Sequence, residues 1–204
     1  MHLDVIPTLR CPREHEESGL VLVADETRGR HVVSGVLGCP VCEAEYPVRG
    51  GVAYFASPMA STASHRADEV IRAAAMLGLT EPGGVIMLAG QWAAIADAIG
   101  EIADALVLVV DPPTIATHAE RVSVLYAGAR LPIAPRALRA AAIDTPTEGI
   151  AAVIGAKGRL VATAAVGVPP GVDELARDAD YWVGEVNASP RPSAGLTPLR
   201  IVRR

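Results

Sequence analysis

The chain has 204 residues, which is enough for one large domain or two small ones. Half of the residues are apolar but only 3% are aromatic, so we expect a core built from Val, Leu, Ile and Ala. The formal net charge of −5 argues against a bare nucleic-acid-binding domain, because such domains are usually basic. No apolar run approaches the roughly 18 residues that a membrane-spanning helix needs, so we expect no membrane partner.

The three cysteines are an odd number, which fits a disulfide framework poorly. The first residues lack the basic start and the long apolar stretch that are typical of a secretory signal peptide. We therefore expect a cytoplasmic protein whose thiols are reduced and free to bind a metal ion.

Residues 1–57 are predicted to form a small β-rich domain. Apolar runs of strand length occur at 19–24 and 31–37, on either side of a turn at Gly29. Residues 46–55 predict a strand, a turn and a second strand. The small and polar residues that follow, at 58–66, are typical of a linker.

Residues 67–204 are predicted to form a second domain in which buried strands alternate with helices. Helical spacing of apolar residues occurs at 68–79 and 92–102. Buried strands are predicted at 84–89, 105–110, 121–126, 138–143 and 159–165. This alternation favours an α/β fold with a compact, Rossmann-like and mostly parallel sheet. Residues 181–186 and 198–202 are predicted to form a C-terminal antiparallel hairpin.

The cysteines are spaced for a metal site. Cys39 and Cys42 form a Cys-Pro-Val-Cys knuckle, and two thiolates at this spacing can bind one tetrahedral zinc ion. Cys11 begins a second Cys-Pro segment, where His15 completes a C-x₃-H pair of ordinary ligand spacing. The predicted ligands are therefore Cys11, His15, Cys39 and Cys42.

Three other side chains compete with His15 for the fourth position. Glu14 precedes it directly, and His2 and His31 are further candidates. Another interpretation of the cysteines is that Cys11 is a buried lone thiol and the knuckle is a redox pair. The Cys-Pro start that both segments share argues against this interpretation.

The first domain resembles the zinc-ribbon family of small methyltransferase-activating proteins. The resemblance covers about 45 residues, from Leu9-Arg10-Cys11-Pro12 through the knuckle to Tyr46-Pro47-Val48-Arg49-Gly50-Gly51-Val52. Members of that family act as separate partner subunits of RNA and protein methyltransferases or are fused ahead of a methyltransferase domain. This chain departs from the family where His15 replaces the usual second cysteine of the first knuckle.

The second domain resembles a class I S-adenosylmethionine methyltransferase in the order of its elements. Gly90 follows the first strand and Asp111 ends the second, where the family places a cofactor-binding turn and a ribose-binding acid. Residues 126–133 resemble the segment after the family's third strand, and residues 155–161 resemble its turn into the fifth. The resemblance therefore implies Gly90 and Asp111 as cofactor-binding residues; the alternative is that Gly90 only makes a tight turn and Asp111 only caps the following helix.

The residues around this turn depart from the family. The segment Leu88-Ala89-Gly90-Gln91-Trp92 has no acid and one glycine, where the family has an acid and two or three glycines. Two positions are expected for Trp92: its indole either fills the core behind the turn, as we also expect of Trp182, or lies close to the methionine end of the cofactor. Gly128 or its neighbours stand where the family places an acid near the adenine, and Asp144 is expected to cap a helix.

These observations predict a zinc-binding, methyltransferase-like protein that acts as a non-catalytic partner or scaffold for another protein. The catalytic residues are unknown, and S-adenosylmethionine is a doubtful cofactor. The alternative is an active S-adenosylmethionine-dependent methyltransferase with a divergent cofactor loop. A zinc module that binds nucleic acid directly is disfavoured, because the chain is acidic and has no stripe of aromatic and basic residues.

Overall fold

The computed structural model describes residues 1–58, 70–113 and 119–187, and all structural statements concern these residues. The predicted strand at 198–202 and all but the first residue of the predicted linker at 58–66 lie outside them.

The first 58 residues form an antiparallel meander of four strands, preceded by a 3₁₀ segment at Leu3–Thr8. The strands are β1 (Val21–Arg28), β2 (His31–Gly38), β3 (Glu45–Arg49) and β4 (Val52–Tyr54). The turn between β1 and β2 contains Gly29 at φ 58°, which glycine adopts without steric cost. The meander agrees with the strands that the sequence predicts in this region.

The remaining described residues alternate between strands and short helices. They form α1 (Val70–Met76), β5 (Val85–Ala89), a 3₁₀ segment (Gly90–Ile95), α2 (Ala96–Ala103), β6 (Leu106–Val110), β7 (Val122–Tyr126), β8 (Leu138–Ile143), α3 (Ile150–Val153), β9 (Ile154–Thr163), β10 (Val172–Arg177) and β11 (Tyr181–Val186). The predicted helix at 92–102 is therefore a 3₁₀ turn that continues into two turns of α-helix.

Strands β7, β6, β5, β8 and β9 are parallel neighbours in that order. The order reverses between β5 and β8, which makes this position the topological switch point of a doubly wound sheet. Beyond β9, strand β11 pairs antiparallel, and β10 pairs with β11. The described residues therefore form a mostly-sheet α/β arrangement with mixed parallel and antiparallel strands.

Residues 181–186 form the predicted strand, here β11, which pairs in an antiparallel hairpin with β10 (Val172–Arg177), a strand not predicted from the sequence. The predicted partner at 198–202 lies outside the described residues. Five of the six residues of β10 are exposed, so the strand carries no apolar alternation to detect. Strand β9 also begins five residues earlier than predicted, at Ile154.

The two predicted domains share one continuous sheet of eleven strands. Strand β4 pairs in parallel with β7, in the register Val52 with Val124 and Tyr54 with Tyr126. A second connection pairs Leu9 with Ile133 in antiparallel fashion. These contacts fix the position of the meander against the parallel strands.

Alternation along the central strand β5 separates the core into two faces. Val85, Met87 and Ala89 pack in one apolar cluster, while Ile86 and Leu88 pack in the other. Helices α1 and α2 contribute to the second cluster, whereas α3 and the Leu3–Thr8 segment contribute to the first. Both faces of the parallel strands are therefore covered.

None of the helices in the described part of the chain combines the length and the apolar character that crossing a bilayer demands.

The junction between the meander and the parallel strands contains a buried side chain-to-backbone hydrogen bond. The backbone N–H of His2 donates to Ser123 Oγ at 2.9 Å, and Ser123 is fully buried within β7. Replacing Ser123 by Ala leaves the His2 N–H without this acceptor. We expect Ser123→Ala to lower the free energy of unfolding by about 1–3 kcal/mol.

Chemical denaturation with urea measures this change, and Ser57→Ala is the matched control because Ser57 is exposed. The control is expected to change the free energy of unfolding by less than about 0.5 kcal/mol. Equal stability of Ser123→Ala and the unmodified protein would mean that this contact does not hold the junction.

Candidate metal centre and the carboxyl edge of the sheet

The Cys39–Cys42 knuckle is the connection between β2 and β3. The Cys39 N–H donates to the Ala44 carbonyl at 2.9 Å, and the Glu43 N–H donates to the Cys39 carbonyl at 3.0 Å. Glu43 closes the turn at φ 57°, a left-handed conformation that is uncommon for residues other than glycine. Both thiols therefore emerge from a tight turn whose backbone is hydrogen-bonded on each side.

Cys11 and His15 lie in a second loop, which folds against the knuckle. An antiparallel bridge between Arg10 and Gly19 closes this loop, and the Cys11 N–H donates to the Ser18 carbonyl at 3.0 Å. The Arg10 side chain also pairs with Glu17 at 2.9 Å. The segment that carries the first two predicted ligands is thus held at its base by backbone pairing.

The structure brings the four predicted ligands together. Their ligand atoms, three Sγ atoms and one imidazole nitrogen, all lie within 4.8 Å of one another. Cys11 Sγ is 3.7 Å from Cys42 Sγ, and Cys39 Sγ is 3.5 Å from His15 Nε2. All three thiols are free, and 3.7 Å is far longer than a disulfide bond of about 2.05 Å. This group can hold a metal ion.

Tyr46, at the start of β3, hydrogen-bonds to one of the thiols. Its hydroxyl lies 3.2 Å from Cys11 Sγ. Burial and the hydrogen bond to Cys11 raise the pKa of Tyr46, so the phenol stays protonated and donates. Burial raises the pKa of the Cys11 thiol, but the hydrogen bonds from Tyr46 and from the Arg13 backbone outweigh it and lower the pKa overall. A thiolate is the form of cysteine that binds metals.

The two thiols of the knuckle, on Cys39 and Cys42, differ from each other in the direction of their pKa shifts. Burial opposes ionisation of Cys39, but hydrogen bonds from the backbone of Cys42 and Val41 lower its pKa overall. Burial raises the pKa of Cys42, and its two cysteine neighbours raise it further.

Tyr46 was not predicted from the sequence as part of the site. The available signal was its position four residues after the second knuckle cysteine.

His15 is oriented by a backbone contact. Its Nδ1 lies 2.5 Å from the Glu16 carbonyl oxygen, so Nδ1 carries the proton that it donates and Nε2 presents a lone pair to the thiols. Glu14, the main rival for the fourth position, pairs instead with Arg130 at 3.1 Å. His2 and His31 contact each other at a ring-centroid distance of 5.1 Å and belong to no metal-binding group found in the described residues.

The cofactor turn predicted at Gly90 lies at the carboxyl end of β5, where it meets the side chain of Asp144 from the end of β8. Gly90 has φ 58°, and a Cβ atom at this position would lie 2.5 Å from Asp144 Cγ. The Gln91 N–H donates to Asp144 Oδ2 at 2.8 Å. Asp144 therefore does not cap the helix that follows its own strand; it accepts from the first turn of the 3₁₀ segment that follows β5, where Gln91 lies 53 residues away in the chain.

Asp111, the predicted ribose-binding acid, also bonds to the backbone. It follows β6 at φ 47°, and its Oδ1 accepts a hydrogen bond of 2.9 Å from the Ala127 N–H. Burial raises the pKa of this carboxyl, and the Ala127 hydrogen bond lowers it to a lesser degree. The side chain thereby connects the carboxyl ends of β6 and β7.

Trp92 fills the core, which is one of the two positions expected for it, and does not lie at the predicted cofactor turn. Its indole is fully buried in the cluster between the sheet and helices α1 and α2, with its ring centroid 5.2 Å from that of Tyr181. The physical reason is that the 3₁₀ segment begins at Gly90 and directs position 92 back over the sheet.

Gly128, at the position where an acid near the adenine was looked for, is exposed at φ 78°, and a Cβ atom there would lie 2.9 Å from the Ala56 Cβ.

Together, the fold and the cluster define an α/β protein with a doubly wound, mixed sheet and a Cys₃His group that can hold a metal ion. No family model matches the chain, and no curated protein matches it. Twelve chains of solved structures match. One is the crystal structure of the antibiotic-resistance methyltransferase Kmr, with 11% identity, a TM-score of 0.41 and coverage of 63% of this chain and 96% of that one. A likeness this low carries no argument about activity.

The contact between Gly90 and Asp144 makes glycine obligatory at position 90. A side chain there would adopt a left-handed conformation, at a cost of about 1–2 kcal/mol, and would overlap the Asp144 carboxylate, at a further cost of about 1–3 kcal/mol. We expect Gly90→Ala to lower the free energy of unfolding by about 2–5 kcal/mol.

A double-mutant cycle with Asp144→Ala isolates the steric part of this effect. In the Asp144→Ala background, Gly90→Ala is expected to cost only the conformational 1–2 kcal/mol or so. If Gly90→Ala is equally destabilising in both backgrounds, the two residues are not in contact in solution.

Proposed function

We propose that this protein is a zinc-binding, methyltransferase-like protein that acts as a non-catalytic partner or scaffold for another protein. The observation that carries the proposal is the Asp144 carboxylate at the Gly90 turn. It takes the space and the N–H group that a cofactor would need at the topological switch point, where ligands of doubly wound sheets bind. The proposal has three parts, which concern the zinc ion, the cofactor edge and the partner.

The donor set supports zinc as the metal. Zinc–sulfur bonds of about 2.3 Å and zinc–nitrogen bonds of about 2.0–2.1 Å in a tetrahedron place two sulfurs about 3.8 Å apart and a sulfur and nitrogen about 3.6 Å apart. The distances of 3.7 Å for Cys11 to Cys42 and 3.5 Å for Cys39 to His15 agree with this geometry. Four protein ligands leave no open position, which is typical of a structural rather than a catalytic zinc ion.

Two carboxylates support the proposal that the carboxyl edge of the sheet, where a cofactor would lie, binds none. Asp144 accepts from Gln91, and Asp111 accepts from Ala127, so both acids are engaged by the backbone. The Asp144 carboxylate fills the space beside Gly90 and already accepts the Gln91 N–H, so neither the space nor this donor is free for the methionine end of S-adenosylmethionine.

The edge strand β1 supports a role as a protein partner. Strand β4 pairs with β7, so this side of the meander is occupied by the chain itself. Among the described residues, strand β1 lies at the end of the sheet, and its Val21 and Val23 are 57% and 64% exposed. An exposed apolar edge strand offers backbone groups to which an extended segment of another protein can pair.

The second candidate function is an active S-adenosylmethionine-dependent methyltransferase. One observation favours it, an apolar cavity of about 470 Å³ at the same carboxyl edge, lined by residues that include Ile143, Ile150, Val166 and Pro169. The core position of Trp92 also leaves this edge free of its indole. This candidate requires Asp144 to leave the Gly90 turn when the cofactor binds.

The zinc part of the proposal predicts one zinc ion per chain, measured by elemental analysis of protein purified without added metal. His15→Ala is expected to weaken zinc retention in a chelator competition by more than about 100-fold, since it removes a ligand. Tyr46→Phe is expected to weaken it by about 10–100-fold, which is typical of the loss of a hydrogen bond to a ligand.

Glu14→Ala is the matched control for His15→Ala, because Glu14 is adjacent but pairs with Arg130. It is expected to leave zinc retention unchanged. A larger effect for Glu14→Ala than for His15→Ala would assign the fourth ligand to the carboxylate, and a folded protein with reduced thiols and no zinc would refute the metal centre altogether.

The cofactor part predicts that S-adenosylmethionine and its demethylated product bind with dissociation constants weaker than about 1 mM in calorimetric titration. Losing charged hydrogen bonds at about 1.5–3 kcal/mol each moves a micromolar site into this range. Asp144→Ala is expected to strengthen binding by about tenfold, because it vacates the Gly90 turn, and the exposed Asp173→Ala serves as its control. Micromolar binding to the unmodified protein, abolished by Asp111→Ala, would establish the methyltransferase instead.

A further inference from the structure

A second cavity lies at the opposite edge of the sheet from Gly90 and Asp144. It has a volume of about 400 Å³ and lies where β8 and β9 begin, below the end of α1. The residues that line it include Gly78, Arg139, Lys157, Gly158, Arg159 and Glu185. None of them takes part in the metal centre or in the predicted cofactor edge.

The lining is basic although the protein is acidic. Three cationic side chains, on Arg139, Lys157 and Arg159, face one carboxylate, on Glu185, which leaves two positive charges in a chain of net charge −5. Arg159 Nε is 4.0 Å from Glu185 Oε2, and both side chains are more than one third exposed, so this pair is weak. Within the described residues, no carboxylate oxygen lies within 4.0 Å of Lys157, which is the only lysine of the chain.

The backbone around the cavity is shaped by glycines. A Cβ atom at Gly158 would lie 2.5 Å from Ile154 Cγ2 and 2.6 Å from the Arg139 carbonyl, so only glycine fits in this part of β9. The register between β8 and β9 shifts here, between Leu138 and Ala140. Lys157 has φ 64° in the same segment. Because of this irregularity, Lys157 has no pairing partner on β8 and lies beside the cavity.

Two further contacts fix the arginines. Arg139 Nη1 donates to the carbonyls of Glu81 and Gly83, the latter at 3.1 Å, and thereby holds its guanidinium against the loop before β5. Arg159 lies over Gly78, where an added Cβ would be 3.2 Å from Arg159 Cγ. A guanidinium held by hydrogen bonds, as that of Arg139 is, loses little side-chain entropy when it binds an anion.

We propose that this cavity binds a small molecule that carries a phosphate group. Arginine and lysine are the side chains that recognise phosphate, the first through paired N–H donors and the second as a point charge. The volume of about 400 Å³ lies within the range of small-molecule sites and exceeds what inorganic phosphate alone would fill. This site goes beyond the proposed function, because it lies at the other edge of the sheet and involves neither zinc nor S-adenosylmethionine.

Calorimetric titration of the full chain with inorganic phosphate and with glycerol 3-phosphate, at constant ionic strength, tests the proposal. Glycerol 3-phosphate is expected to saturate with a dissociation constant below about 1 mM and to bind more tightly than inorganic phosphate. Acetate at the same concentrations is expected to show no saturation. Saturating glycerol 3-phosphate is also expected to slow the reaction of Lys157 with an amine-reactive reagent, followed by peptide mass analysis.

The variants are chosen to preserve the fold. Asparagine tolerates the left-handed conformation of position 157, so Lys157→Asn removes the charge without adding strain, and Lys157→Arg keeps the charge. Lys157→Asn and Arg159→Gln are each expected to weaken binding by about tenfold. Glu185→Gln is expected to strengthen it, and Lys157→Arg to retain it within about threefold.

Arg28→Gln is the matched control, because Arg28 is exposed at the far end of the sheet and pairs with Glu26. It is expected to leave binding unchanged. The proposal is overturned by absence of saturation up to about 10 mM, or by an equal loss in Arg28→Gln and Lys157→Asn. Tighter binding of a single-stranded oligonucleotide than of glycerol 3-phosphate, with the same dependence on Lys157, would equally overturn it in favour of a nucleic-acid surface.

Discussion

The parallel pairing of β4 with β7 is the constraint on which the rest of the structure depends. All five residues of β7 are buried, so this strand cannot remain at a solvated edge without exposing its backbone groups and its apolar faces. Strand β4 supplies the missing neighbour, but it has only three residues and is held on its other side by β3. The position of β3 follows from the knuckle that precedes it. The turn at Cys39–Cys42 is therefore connected, through the pairing of β3 with β4 and of β4 with β7, to the core of the larger sheet.

The sequence predicts those strands best that are buried on both faces. Strands β5, β6, β7 and β8 are short, nearly continuous apolar runs, and each was predicted to within one residue. Strand β10 escaped prediction because it lies at the far edge of the sheet with Asp173, Glu174 and Arg177 exposed, and a polar edge strand has no apolar period. The sharing of one sheet by the two parts of the chain was not predictable either, since no local pattern specifies which distant strand β4 will join.

The candidate sites show the same division between local and distant information. The four metal-binding side chains could be proposed because C-x₂-C and C-x₃-H spacings are properties of short segments. The contribution of Tyr46 depends on the register between β2 and β3, which places its hydroxyl at Cys11. The hydrogen bond from Gln91, in the Gly90 turn, to Asp144 depends on the parallel pairing of β5 with β8, across 53 residues. The choice between the two expected orientations of Trp92 needed the structure, because a sequence does not reveal where a helical segment begins to turn relative to its strand.

The two ends of the parallel strands differ in charge, and the difference bears on both proposals. At the carboxyl end, Asp111 and Asp144 accept hydrogen bonds from backbone N–H groups that a bound ligand would otherwise engage. When the polar groups of a site are hydrogen-bonded to the protein's own side chains, the fold gains stability and a ligand gains little free energy by binding there. Active sites typically have the opposite arrangement, with strained or unsatisfied polar groups. At the amino end, Lys157 has no carboxylate partner among the described residues, and its backbone occupies an uncommon conformation. An unpaired charge beside a glycine-shaped cavity is the arrangement that binding would improve, so the edge that the fold does not ordinarily use is the one whose local chemistry favours a ligand.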